Sequence, residues 1–137
     1  MFNVGGITKT DYANQRQILG NTVFIGLSVI IDNTAKNDSG VCLAGTPLNG
    51  DLTKRDGGAN AFVKASAGNA TTPSDAVCVL LHDVVFDGSN DANATVVIKG
   101  TVQLDKMDSS VEAMYSEYVI TALAQHGIDC INPTPDA

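Results

Sequence analysis

Three cysteines, two histidines and one turn dense in Asp and Asn are the residues of this sequence best suited to chemistry. Cys78 and His82 stand four apart. A thiolate–imidazole pair needs direct contact, and on a strand positions i and i+4 share a face about 13 Å apart. The surrounding run Ala76–Val85 (AVCVLLHDVV) reads as a strand, so the two side chains are not expected to meet. His82 is then an ordinary strand or strand-end residue. Neither His82 nor His126 lies in a recognisable nucleophile motif, and no Gly-x-Ser-x-Gly elbow is present. Gly45–Gly50 has the gap of a phosphate loop but lacks its Gly-Lys-Ser/Thr ending. Cys42, Cys78 and Cys130 are odd in number, far apart and set in apolar stretches. That pattern fits buried free thiols better than a disulfide framework.

Metal binding has one candidate. Asp87, Ser89, Asp91 and Asn93 place oxygen ligands at alternate positions, as a calcium loop begins. The EF-hand version also needs Gly at its sixth position and Glu at its twelfth, where this chain has Ala92 and Ile98. Asp, Asn and Gly also build tight hairpin turns in their own right, and the turn is the favoured reading. No cofactor and no catalytic residue is expected: the sequence reads as a binding or structural protein and not an enzyme.

Charge narrows the partners. The 137 residues carry a net charge of −7, and Lys54–Arg55 is the only adjacent basic pair. Phosphate backbones and anionic membranes are bound by clustered Lys and Arg, so neither nucleic acid nor a membrane surface is expected as a partner. The longest apolar run, Val23–Ile31, is broken by Gly26 and Ser28 and falls short of the ~20 residues needed to cross a bilayer. No signal-like segment opens the sequence, which points to synthesis in a reducing cytoplasm. Charged residues make up 17%, below the roughly 25% of an average soluble domain. Such a surface suits burial against partner subunits, or is simply rich in Ala, Gly and Thr.

The elements that must position these residues are mostly strands. Thr22–Ile31 reads as a buried strand, Val41–Ala44 and Ala61–Ala65 as short ones, and Gly45–Gly50 as a turn. Asp51–Gly58 and Ser66–Asp75 read as surface loops. Ala76–Val85 is apolar nearly throughout, so both its faces should be covered. With Ala94–Leu104 and the Asp-rich turn between them it forms the best-marked hairpin. Ser109-x-x-Glu112 has the spacing of a capping box, opening one helix whose stripe is Val111, Met114, Tyr115, Tyr118, Ala122 and Leu123. Gly127 should stop it, and Ile128–Ile131 can pack back as a strand. Residues 1–20 read as an extended arm and 21–137 as one domain. The sum is six or so short strands and one C-terminal helix: α+β, mostly β.

Several segments together resemble a known family. Val41-Cys-Leu-Ala-Gly-Thr-Pro-Leu-Asn-Gly-Asp-Leu52 resembles the strand-turn of bacteriophage head decoration and head-fibre proteins. Ala76–Val85, the turn after it and Ala94-Thr-Val-Val-Ile-Lys-Gly-Thr-Val-Gln-Leu-Asp105 resemble their central hairpin, and Ile120–Ile128 their closing helix end. The resemblance covers residues 40 to 131 in order. It implies a small mixed-sheet, barrel-like (β-tulip-like) domain with an N-terminal arm, that of a lambda-type decoration protein, made in the host cytoplasm, that binds the outside of the expanded capsid in the virion. Its partners would be the major capsid protein and two further copies in a homotrimer. Such proteins cement neighbouring capsid subunits; a head-fibre or adhesion module and a calcium-stabilised binding domain are the alternatives. An arm can add a strand to a partner's sheet, which makes Asn3, Val4, Ile7, Thr8, Tyr12, Gln15 and Ile18 the expected capsid contacts. Tyr115 and Tyr118 are expected in the core or between subunits.

Overall fold

The computed structural model describes residues 18–19 and 24–131. In chain order the strands are β1 (Ile25–Ile31), β2 (Val41–Cys42), β3 (Pro47–Asn49), β4 (Val63–Lys64), β5 (Cys78–Leu80), β6 (Val84–Val85), β7 (Ala92–Gln103) and β8 (Ile128–Ile131). The helices are α1 (Ser109–Glu112) and α2 (Glu117–Gln125).

β7 organises the fold. Its β-branched run Thr95-Val96-Val97-Ile98 favours an extended, half-buried chain. Along its first half β7 pairs antiparallel with β1, from Ile31↔Ala92 to Ile25↔Lys99, with an irregularity between Ile25 and Gly26. On its other side it pairs with β5 through Val79↔Val97 and Leu80↔Val96. Past Gly100 the partner changes to β8, which runs parallel from Gly100↔Ile128 to Gln103↔Ile131. The sheet continues through β5 to β3 and β4, in the order β1-β7-β5-β3-β4. β2 and β6 form a separate two-stranded ribbon.

Both faces of this sheet are covered. Because neighbouring residues on a strand point to opposite faces, Cys78 and Leu80 enter one core cluster and Val79 the other. The first cluster gathers Val29, Ile31, Leu48, Phe62, Phe86 and Val96. The second lies under α2, where Val119, Ala122 and Leu123 meet Val102, Ile128 and Met107. Each fully buried Val, Leu or Ile contributes roughly 1.5–3 kcal/mol of transfer free energy. The sequence-based expectation that both faces of the 76–85 run are covered holds at β5, whose three residues are all buried.

The class is α+β, mostly β, as the patterning implies. The sheet does not close into a barrel, which corrects that part of the expectation. Four local readings also change. First, the 76–85 strand is two strands: the Leu81 amide still reaches the Thr95 carbonyl at 3.0 Å, but the chain then bends at His82, and the Asp83 carboxylate accepts the Ala44 amide at 2.7 Å. β6 then pairs with β2 instead of β7. Second, the single helix is α1 followed by α2. Asp108 caps the first through the Ser110 amide, and Ser116 caps the second through the Val119 amide. Ser109 is inside α1 and is not its cap. Third, the turn read at Gly45–Gly50 contains β3. Fourth, the described part of the apolar 22–31 run, residues 24–31, is buried only toward its end, with Phe24 and Ile25 exposed. Gly127 does end α2, with a φ of 87°.

Candidate functional site

The potential nucleophiles are withdrawn from solvent. Cys42 and Cys78 are buried and Cys130 is half-buried, and all three are free thiols. Burial raises the Cys42 thiol above its usual range, partly offset by a hydrogen bond with Thr46 and by Lys64. Burial alone pushes Cys78 to about 12. Cys130 also rises to about 12 through burial, with Asp129 adding to it. A thiolate is the reactive form, so each site suppresses it at neutral pH. Cys78 faces the core beside the Leu48 carbonyl, whereas His82 is exposed beyond the bend. The fold keeps the two apart in environment.

The Asp-rich turn is committed to structural bonds. Asn33 sits in a short 3-10 turn, Asn33–Ala35, capped by Asp32. Its amide donates to Asp91 Oδ1 at 3.0 Å, and its Nδ2 donates to the carbonyls of Gly88 and Asn90, both at 2.9 Å. The Lys36 amine reaches the Gly88 carbonyl at 3.0 Å. Asn93 lies within β7, opposite Ile30. Asp87 and Ser89 are exposed. Among the described residues no group of three His, Cys, Asp or Glu side chains is placed to hold a metal ion. A cation already contacts a carbonyl of this turn, and it is the chain's own lysine.

Of the expected capsid contacts, Asn3, Val4, Ile7, Thr8, Tyr12 and Gln15 lie outside the described residues. Ile18 is placed, and its placement is a correction. It is 1% exposed within the α2-side core. Its carbonyl accepts the Gln103 amide at 2.7 Å, and Leu19 bridges to Val102. Its side chain is used in the fold and presents no surface to a partner. The apolar pair Ile18–Leu19 after the polar run 11–17 is the only sequence signal of that anchorage.

Tyr115 is likewise part of the fold. Its hydroxyl donates to the Gly45 carbonyl, and its ring packs against the α2-side core. Burial holds its phenol well above the usual range, with Cys130 and Cys78 adding to the effect. Tyr118, on α2, is half-buried.

An open groove of about 490 Å³ lies on the exposed face of the paired β1 and β7, lined by Ser28, Ile30, Arg55, Asn93 and Thr95 among others. Arg55 comes from the 51–60 loop, and its guanidinium donates to the Ser28 carbonyl at 3.0 Å. Sequence reasoning missed this role: Lys54–Arg55 beside Asp51 and Asp56 looks like a solvated, balanced loop. No protein-family model matches this chain, and no curated protein matches it significantly.

Proposed function

We propose that this chain is a non-catalytic phage structural protein that binds the exterior of the expanded capsid and cements neighbouring capsid subunits. The observation that carries the reading is a division of labour on the surface. Cys42 and Cys78 are buried, the Asp-rich turn and Tyr115 are tied into the fold, and β1, which carries no charged residue, leaves Ile25 exposed at its start. The segments that carry the family resemblance support it too. They supply β3, β5, β7 and α2, which are neighbours in the fold.

Cementing follows from linkage. A domain that binds only the expanded shell stabilises that state by RT ln(1 + [L]/Kd) per site, about 2.7 kcal/mol at a hundredfold excess over Kd. Many copies on one shell add this contribution repeatedly. In this reading the copies act as homotrimers and residues 1–17 supply the capsid contacts, with Ile18–Leu19 fixing the arm's root on β7. The test is sedimentation of the purified protein with expanded and unexpanded shells of its own phage. Saturable binding to expanded shells alone is the expected result, and absence of binding to both forms would remove the capsid reading.

A further inference from the structure

We propose that Asn49–Gly50 is a site of self-modification, and that its one-way conversion releases the 66–75 loop from β3. The reactants are the chain's own side-chain amide and water. The inference concerns the isolated protein and is independent of the capsid reading.

Asn49 is the one asparagine of the sequence that is followed by glycine. A backbone amide can attack the side-chain carbonyl of the residue before it, and glycine, with no Cβ, hinders that close approach least. Packing fixes a glycine here, since a Cβ on Gly50 would lie 2.6 Å from the buried Phe62 ring. Asn49 is the last residue of β3, Gly50 lies outside any strand, and both are half-buried. Their sheet neighbour β4 is an outer strand of two residues, both exposed, so a local opening here costs little.

One hydrogen bond restrains the reaction. Asn49 Nδ2 donates to Asp75 Oδ2 at 3.1 Å, while Oδ1 of the same carboxylate accepts the Ser66 amide at 2.7 Å and the Ser66 hydroxyl at 3.2 Å. Asp75 thus ties the two ends of the 66–75 loop to each other and to β3. When the Asn49 bond opens, the Gly50 nitrogen gives its proton to solvent and attacks Asn49 Cγ. The new N–Cγ bond closes a succinimide, the Cγ–Nδ2 bond breaks, and Nδ2 leaves as ammonia with a proton taken from water. A second water opens the ring and returns a proton to the Gly50 nitrogen. Attack at Cγ gives aspartate, and attack at the Asn49 backbone carbonyl gives isoaspartate. The net change is amide and water to acid and ammonia, with no oxidant or reductant. Either product replaces the donor by a carboxylate beside Asp75, and like charges that close repel.

The test is incubation of the full chain at mildly alkaline pH, native and in concentrated urea, with peptide mapping by mass spectrometry to separate Asn, Asp and isoaspartate. Asn49 should convert in the native chain, several-fold more slowly than in urea. Asp75→Ala should raise the native rate several-fold. Ser74→Ala breaks the bond from the Ser74 hydroxyl to the Ser66 carbonyl in the same loop, leaves the Asn49–Asp75 bond in place, and should not raise it. Asn49→Asp, the product made directly, should speed amide exchange across 66–75 several-fold and leave β5 unchanged. If Asp75→Ala proves unfolded, the exchange comparison decides alone. Asn49 intact in the native chain after full conversion in urea overturns the inference, as does a native rate equal to that in urea. So does a rate indifferent to Asp75→Ala, or equally raised by Ser74→Ala, or unchanged exchange in Asn49→Asp.

Discussion

The Tyr115 hydroxyl donates to the main-chain carbonyl of Gly45, seventy residues earlier in the chain. This bond ties the turn that leads into β3 to the junction between α1 and α2, and so joins the sheet to its helical cover. Gly45 is buried, so its carbonyl has little recourse to water. Tyr115→Phe keeps the ring and removes the donor. Leaving a buried acceptor unsatisfied costs about 1–3 kcal/mol, and the expected result is a melting point lower by several degrees. A loss under about 0.5 kcal/mol would mean that the carbonyl finds another donor.

Alkaline pH should destabilise this fold earlier than its carboxylates alone suggest. Cys78 rests near 9.0 when unfolded and about 12 when folded. Between those values the unfolded chain has lost a proton that the native chain still holds, so stability falls as pH rises. The slope from this one group is about 1.4 kcal/mol per pH unit at most. Cys130 and Tyr115 shift in the same direction and add to the decline. Below about pH 8 these groups contribute no slope. Denaturant titrations from pH 8 to 11 should show the decline, and Cys78→Ala, although less stable throughout, should show a shallower one. Parallel curves for the two proteins would count against a buried, protonated Cys78.

The link between Asn33 and the 87–91 turn gives a third test. One side chain satisfies two carbonyls of that turn while the residue's amide holds Asp91. Asn33→Ala should cost about 1–2 kcal/mol, since two hydrogen bonds are lost at a partly exposed site. Amide exchange should speed up in 87–91 and leave β5 unchanged. Millimolar calcium should not raise the wild-type melting point, because ligand binding to the folded state must do so. A clear rise with calcium would return Asp87, Ser89, Asp91 and Asn93 to the list of metal ligands.

The parts of the fold that were legible in the sequence are those in which local pattern and tertiary need agree. The β-branched run of β7, the unbroken apolar stretch at β5 and the Gly127 stop each carry one meaning. The misread parts are those where a single polar side chain decides the matter. Asp83 is one aspartate in a largely apolar run, yet its carboxylate is tied to the Ala44 amide just where the chain leaves the main sheet. Ser116 lies within what reads as one helical stripe, but Ser116 and Glu117 together open a second helix, the serine as cap and the glutamate against the dipole. The candidate site was less legible still. Arg55 gains its role from where the 51–60 loop crosses β1, and sequence spacing cannot report a contact of that range. Ile18 was hidden for the opposite reason, since the polar residues before it make the whole segment look free.

Gly50 offers a sharp test of how tightly the first core cluster is packed. A Cβ built on Gly50 lies 2.6 Å from the Phe62 ring, and Phe62 is fully buried. The backbone there is not left-handed, so alanine meets no conformational penalty, only the ring. Phe62 cannot withdraw easily, because its own amide and carbonyl are fixed between Ile30 and Asp32. Gly50→Ala should therefore destabilise by about 1–3 kcal/mol, the range for overpacking a core. Pairing it with Phe62→Leu separates the two causes of loss. Phe62→Leu alone opens a cavity and is destabilising. In its background the added methyl has room, so the double variant should lose less than the two single losses combined, by more than about 0.5 kcal/mol. Strict additivity in denaturant melts would show that the ring is not what excludes a side chain at position 50.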